Sequence, residues 1–332
     1  MSLLATFSVG RVDAGGYGVW DDTGVKKYNV TSFDRIYDPE DCYGSMQGYA
    51  HAKADGRYYG YAVKVRDDNG AANIIKYDQV AGSTSIMKNA DKGTDKIYTL
   101  NHANDIDLVN IDGTDYIFVA TMGESPAIVK LKVSGTKYWK VAEYKVSGII
   151  KDGADEKLVS GVSYVSKTDT TLTFLLRSGT RVYRGTIGKN STSGTVNCNQ
   201  IYNLDLEHSN YTNCYFQSVT GADLRRHSVN GQYKAQGFCY RNNKMFLAIS
   251  KMGSCNSFVL VYDININATS VTTIQSNGNY SFELQVSDLK QFEMEDISVK
   301  SDGSLFFSCN ATNANGVKND FFGAVRSYII AR

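Results

Sequence analysis

The sequence predicts an all-β chain: a five-bladed β-propeller with four antiparallel strands per blade, in one domain spanning residues 1–332. Three observations point there. The composition favours strands over helices, with 23 Tyr, 30 Gly and only two Pro, and Val, Ile, Thr and Phe are plentiful where Ala/Leu/Glu/Lys helical stretches are missing. A strand–turn–strand–turn–strand pattern recurs five times, at a period that suits a propeller blade. The five copies fill the chain, so a ring can close and leave no long sheet edge exposed.

Each copy opens on a polar residue and enters an apolar strand. The first runs QGYAHAK, turns at Ala54-Asp55-Gly56, continues RYYGYAVKV, turns at RDDNG and resumes AANIIKYD. The second is NHANDIDLVNIDGTDYIFVATMGESPAIVKLKV, with an Asp-Gly turn of the kind hairpins prefer. VSGVSYVSKTDTTLTFLLRSGTRVYRGTI is the third and QGFCYRNNKMFLAISKMGSCNSFVLVYDI the fourth. EMEDISVKSDGSLFFSCNAT, continued by FFGAVRSYII, is the fifth. Blades therefore start near residues 46, 103, 159, 235 and 294. Their shared apolar position is Tyr49, Ile106, Val162, Phe238 and Ile297, at intervals of 57, 56, 76 and 59 residues. A polar insertion over residues 206–234 accounts for the long interval. Fourth strands are expected at KIYTL (96–100), WKVAEYKV (139–146), QIYNLDL (200–206) and SFELQV (281–286). The fifth copy lacks one, and the N-terminal LLATFSV (3–9) is expected to supply it and close the ring.

Charge and motifs exclude several classes. A net charge of +1 with no Lys/Arg stripe argues against a nucleic-acid partner. No apolar run reaches the roughly 18 residues of a membrane span. MSLLATFSVG has no signal-peptide pattern, and Met1-Ser2-Leu3 reads as a replacement for a removed leader. The six cysteines contain no C-x-x-C pair, which speaks against zinc, and several sit in apolar strands as buried free thiols. AGGYG (14–18) lacks the Lys-Ser/Thr of a phosphate loop. His208 and His227 fall in the polar insertion.

The first strand of a propeller blade lines the central channel. Aligning the copies gives one column of Gln47, Asn104, Ser160, Gln236 and Glu295, polar in every copy, and a second of Gly48, Asp105, Gly161, Gly237 and Asp296. Strand alternation adds His102 beside Asn104 and Glu293 beside Glu295. The expected ligand-binding set at one mouth is thus Gln47, His102, Asn104, Ser160, Gln236, Glu293 and Glu295. Amides and carboxylates suit sugar hydroxyls or a hard cation such as calcium in the channel. Asp105 and Asp107 form a second candidate metal pair, which alternation along a strand also explains.

Three motifs, His102-Ala103 before a strand ending in Ala-Thr, Gln236-Gly237-Phe238 before a strand ending in Ser, and Glu293-Met294-Glu295, occur in an order that resembles the helveticin J-like proteins, class III bacteriocin-type proteins of Gram-positive bacteria. The resemblance runs from about residue 46 onward, with Asn104 standing where the pattern has Glu. It implies a secreted, extracellular propeller that recognises a cell-envelope glycan or surface receptor through its channel mouth. The many tyrosines suit that reading, since aromatic faces stack on sugars. Two alternatives stay open. One is a glycoside hydrolase, with Glu295, Glu293 and Asp105 as catalytic candidates and Asp296 beside them. The other is a structural propeller with a water-filled channel.

Overall fold

The computed structural model describes residues 19–20, 25–29, 43–54, 57–78, 81, 83–123, 125–150, 159–206, 233–251, 253, 256–277, 280–286, 289–299, 305–318 and 320–325. Among them there is no helix; every regular element is a strand. None is therefore a helix long and apolar enough to cross a membrane.

Strands β1 (Val19–Trp20) and β2 (Val25–Asn29) precede five antiparallel runs. The first is β3 (Ser45–Ala54), β4 (Arg57–Val65), β5 (Ala72–Asp78) and β6 (Ser83–Ile86), followed by the short β7 (Lys88–Asn89) and β8 (Lys96–Ile97). The second is β9 (Asp105–Ile111), β10 (Thr114–Ala120), β11 (Ala127–Ser134) and β12 (Lys137–Ser147). The third is β13 (Gly161–Lys167), β14 (Thr171–Ser178), β15 (Arg181–Gly188) and β16 (Ser193–Asp205). The fourth is β17 (Tyr233–Arg241), β18 (Lys244–Lys251), β19 (Asn256–Asp263) and, past the short β20 (Thr272–Gln275), β21 (Phe282–Gln285). The last is β22 (Leu289–Val299), β23 (Leu305–Asn313) and β24 (Phe321–Val325), completed by β2 from the other end of the chain. Parallel contacts of β12 with β16 join the second and third runs into one ten-stranded sheet.

Turn chemistry sets the register. Asp112 and Gly113 both take positive φ (51° and 84°) between the paired Ile111 and Thr114, and Asn242 and Asn243 do the same between Arg241 and Lys244. Two left-handed residues match the twist of a hairpin. The RDDNG segment is the expected turn between β4 and β5, with Asn69 at φ 58°.

Apolar residues on both faces of each run form five clusters, one at each junction. Val63 and Ile74 meet Ile106 and Val119 between the first and second runs. Phe118 packs on Phe174 between the second and third, with ring centroids 4.8 Å apart. Leu175 and Phe238 belong to the third–fourth cluster, and Phe246 and Phe307 to the fourth–fifth. Tyr49 and Tyr77 meet Phe322 between the fifth and the first. The runs thus follow one another in a closed ring, the arrangement of a β-propeller, with β3, β9, β13, β17 and β22 innermost.

Two expectations shift. The fourth strand of the first run is β6, while the expected 96–100 segment contributes only Lys96–Ile97, paired to the start of β5. The closing N-terminal strand is β2; the expected segment 3–9 lies outside the described residues, as do His208, His227 and most of the 206–234 insertion. Cys198, Cys239 and Cys309 are buried free thiols, as expected.

Candidate functional site

The backbone of each innermost strand is irregular just before its shared apolar residue. β3, β17 and β22 carry bulges at Met46/Tyr49, Ala235/Phe238 and Met294/Asp296. Ahead of β9 and β13, Ala103 and Val159 take positive φ (45° and 59°). Such irregularities re-aim the groups that follow. Here they turn five backbone N–H groups, those of Tyr49, Ile106, Val162, Phe238 and Ile297, toward two carboxyl groups at the axis. Asp296 Oδ2 accepts from Tyr49 N at 2.6 Å and Ile106 N at 3.4 Å, and Asp296 Oδ1 from Ile297 N at 2.7 Å. Asp105 Oδ2 accepts from Val162 N and Phe238 N, both at 3.1 Å.

The two carboxyls also hydrogen-bond each other. Ionised carboxylates only accept, so this contact requires one proton between them. Burial pushes both groups well above the usual carboxylate range, and for Asp296 the charge of Asp105 adds to it. Asp105 Oδ1 meets no N–H or hydroxyl donor. The charge left on the pair faces the guanidinium of Arg177, which is fully buried and pushed down to about 10 by burial. Glycines make room for the pair. A Cβ on Gly237 would lie 2.2 Å from Asp296 Oδ1, and one on Gly161 would lie 2.9 Å from Asp105 Oδ2.

The mouth is built differently. Glu295 is the extra residue of the β22 bulge, and Asn310 Nδ2 donates to its Oε1 at 2.5 Å. Glu293, two positions earlier, accepts from Gln236 Nε2 at 3.0 Å. Burial raises both carboxyls. Glu295 is raised well above its ordinary value, with the charges of Glu293 and Asp320 adding to burial. For Glu293, Lys234, Gln236 and Gln291 oppose the rise. Gln47 Oε1 is buried with no hydrogen-bond partner.

The structure thus brings together Gln236, Glu293 and Glu295 of the expected set. Asn104 and Ser160 are spent on backbone: Asn104 Nδ2 reaches across to the third run and donates to Ser160 O at 2.7 Å, and Ser160 Oγ donates within its own run to Arg177 O at 3.4 Å. Gln47 takes part through its backbone, where its carbonyl accepts from Ser308 Oγ at 2.6 Å. His102 does not share the side of Asn104. The left-handed residues Asn101 and Ala103 break strand alternation, and His102 Nδ1 meets Asn69 Oδ1 at 3.0 Å in the β4–β5 turn. Asp105 is an axial carboxyl enclosed by backbone amides, out of reach of a substrate, so it leaves the catalytic set. Asp107 is not paired with it for a metal: its Oδ2 accepts from Tyr164 N (2.6 Å) and Ser163 Oγ (3.0 Å), and burial raises it to about 6. Among the described residues no group of three or more His, Cys, Asp or Glu has metal-holding geometry. Five N–H donors aimed at the axis suit an anionic partner, and here the two axial carboxyls take that place. Sequence reasoning missed Arg177 and Asn310. It also missed the axial role of Asp296, although Asp in two copies against Gly in three was the visible signal.

No family model matches the sequence, and no curated protein matches it. Among solved structures, it is similar to the catalytic domain of a GH62 α-L-arabinofuranosidase from Coprinopsis cinerea (TM-score 0.45, 10% identity, 87% of this chain and 92% of that chain). It is also similar to a GH43_1 enzyme from Xanthomonas citri complexed with xylose (TM-score 0.43, 6% identity, 84% and 87%). A third is an α-L-arabinanase from Penicillium chrysogenum complexed with arabinobiose (TM-score 0.40, 9% identity, 87% and 79%). The expectation of a bacteriocin-like binding propeller is corrected here. These solved structures are glycoside hydrolases, and the mouth offers two interacting carboxyls where an envelope-binding module was expected.

Proposed function

We propose that the chain is a five-bladed propeller, four strands per blade, that hydrolyses glycosidic bonds at the mouth formed by Glu293, Glu295 and Gln236. One observation carries the reading: two carboxyl groups meet there in unequal settings. Glu295 is buried, 4% exposed, and held toward its protonated form by burial and by the charge of Glu293. Glu293 is half-buried; burial raises it too, but Lys234 and its amide partners oppose the rise, so it ionises more readily than Glu295. A pair pushed apart in this way supplies an acid and a base at one pH. Glu295 donates its proton to the leaving oxygen, and the Glu293 carboxylate takes a proton from the attacking water or attacks the sugar itself. Gln236 holds Glu293 in place from the neighbouring blade. The substrate class is an extracellular glycan.

The test is turnover of aryl pentosides and hexosides, with the product anomer read by NMR. Glu295→Gln and Glu293→Gln are each expected to lower kcat/KM by about 10²–10⁴-fold, the usual worth of an acid or base. Calcium is expected to raise the Tm only if it binds beside these two carboxylates, and Glu293→Gln should then abolish the shift. Wild-type protein that turns over none of the panel, or variants that keep the full rate, would overturn the reading.

A further inference from the structure

One face of the third run changes character along its length. Over one part it is apolar: Leu175, Val182, Ile201 and Leu204 pack against the fourth run. Toward the far end of β13 and β14 the same face carries Ser166, Thr173 and Thr186 in one cross-strand row, since Ser166 pairs with Thr173 and Thr173 with Thr186. Arg184 and Asn199 form a second row beside it. The segment after β19 closes the opposite side with Ile266, leaving a groove of about 380 Å³. Among the described residues no acidic side chain lines this groove.

The side chains of Ser166, Thr173, Thr186 and Asn199 make no hydrogen bond within the protein among the described residues. Arg184 is half-buried and spends Nη1 on Ile266 O at 3.0 Å, which fixes the guanidinium and leaves its other N–H groups directed elsewhere. Hydroxyls and an amide, set in rows one interstrand spacing of about 4.8 Å apart, offer donors and acceptors to successive polar groups of a saccharide. A fixed guanidinium with no carboxylate beside it selects a planar or tetrahedral oxyanion. The apolar Ile266 wall faces the side a sugar presents through its C–H groups.

We infer that this groove is a second saccharide site, separate from the carboxyl mouth, that takes an acidic sugar: hydroxyls read by the Ser/Thr/Asn rows and an oxyanion held by Arg184. It would keep an acidic glycan attached while the mouth works elsewhere on the chain.

The experiment is calorimetric titration of the full chain with trigalacturonate, with a neutral trisaccharide of the same length, and with inorganic sulfate. Saturable binding of trigalacturonate is expected, at least ten-fold tighter than either control. Arg184→Gln should weaken it ten-fold or more. Because Arg184 also pins the 264–271 segment, Thr173→Val/Thr186→Val serves as the second variant and should weaken binding with an unchanged Tm. Glu295→Gln should leave it intact, which separates this site from the mouth. Equal affinity for the neutral sugar, sulfate binding as tight as the trisaccharide, or wild-type affinity in both groove variants would each overturn the proposal.

Discussion

Asp296 is the residue on which most of the inner ring depends. It accepts three backbone N–H bonds from three blades and shares a proton with Asp105. Asp296→Ala would leave three buried N–H groups unpaired at about 1–3 kcal/mol each. We expect no folded protein or a loss of more than about 3 kcal/mol in urea unfolding. Asp105→Asn is the informative partner, because an amide supplies the hydrogen that the carboxyl pair must otherwise take from solvent. The sign of its pH effect follows from the raised carboxyls. Above pH about 4 the folded chain holds a proton that the unfolded chain has released, so stability is greatest at acid pH. It falls as pH rises toward the raised folded value, by about 1.4 kcal/mol per pH unit for each such proton. Arg177, Asp107 and Cys239 also surround the pair, and the mouth glutamates and Asp107 add slopes of the same sign. Asp105→Asn should remove one proton's worth of that slope. A stability–pH curve parallel to wild type would refute the shared proton.

At the level of the strand, the bulges of β3, β17 and β22 do two jobs. They point N–H groups inward, and they seat a small or acidic residue at the axis: Gly48 in β3, Gly237 in β17 and Asp296 in β22. Gly237 shows the constraint: a methyl there would sit 2.2 Å from Asp296 Oδ1, an atom fixed by its own hydrogen bond to Ile297 N. Neither group can move aside without giving up backbone bonds. Gly237→Ala is expected to cost about 3 kcal/mol, at the upper end of overpacking effects, measured as a fall in Tm. Gly93 is the control, with open space around its Cβ position; its positive φ of 65° limits the loss on change to Ala to the cost of backbone strain alone. The columns of Gln/Asn/Ser/Glu and Gly/Asp were legible because the repeat aligns them. Which member of each column reaches solvent was not, since a bulge shifts a side chain by one place without leaving a mark in hydropathy.

Across the whole molecule, the ring closes between the first and fifth runs by three devices. β2 pairs with β24. Asn310 bonds both the N–H and the carbonyl of Met46, at 2.8 and 3.2 Å. Lys64 Nζ meets Asp320 Oδ2 at 3.0 Å with both side chains at 0% exposure. A buried pair of this kind is costly to break singly and nearly neutral to replace. Lys318 Nζ also lies 3.4 Å from Asp320 Oδ2. Lys64→Met alone therefore leaves one cation beside the carboxylate and should lower stability by about 3 kcal/mol, the low end of such losses. Lys64→Met with Asp320→Asn, which keeps the acceptor for Ala311 N, should recover most of the loss. A double variant no better than the single would show that the pair stabilises closure by attraction.

The sequence by itself determined the strand class, the repeat, the fourth strands of the second, third and fourth runs, and the columns facing the axis. These follow from local chemistry: β-branched and aromatic runs, Asp-Gly and Asn-Asn turns, and a period of about 57 residues seen at most junctions. Only the tertiary structure decided what the columns do. Asn104 and Ser160 bind backbone, His102 turns away on a left-handed neighbour, and Asp105 meets Asp296 from 191 positions along the chain. The reason is physical. Two acids become one proton-sharing pair, and two glutamates an acid and a base, only when burial and distance set their charges against each other, and neither quantity exists until the ring is closed.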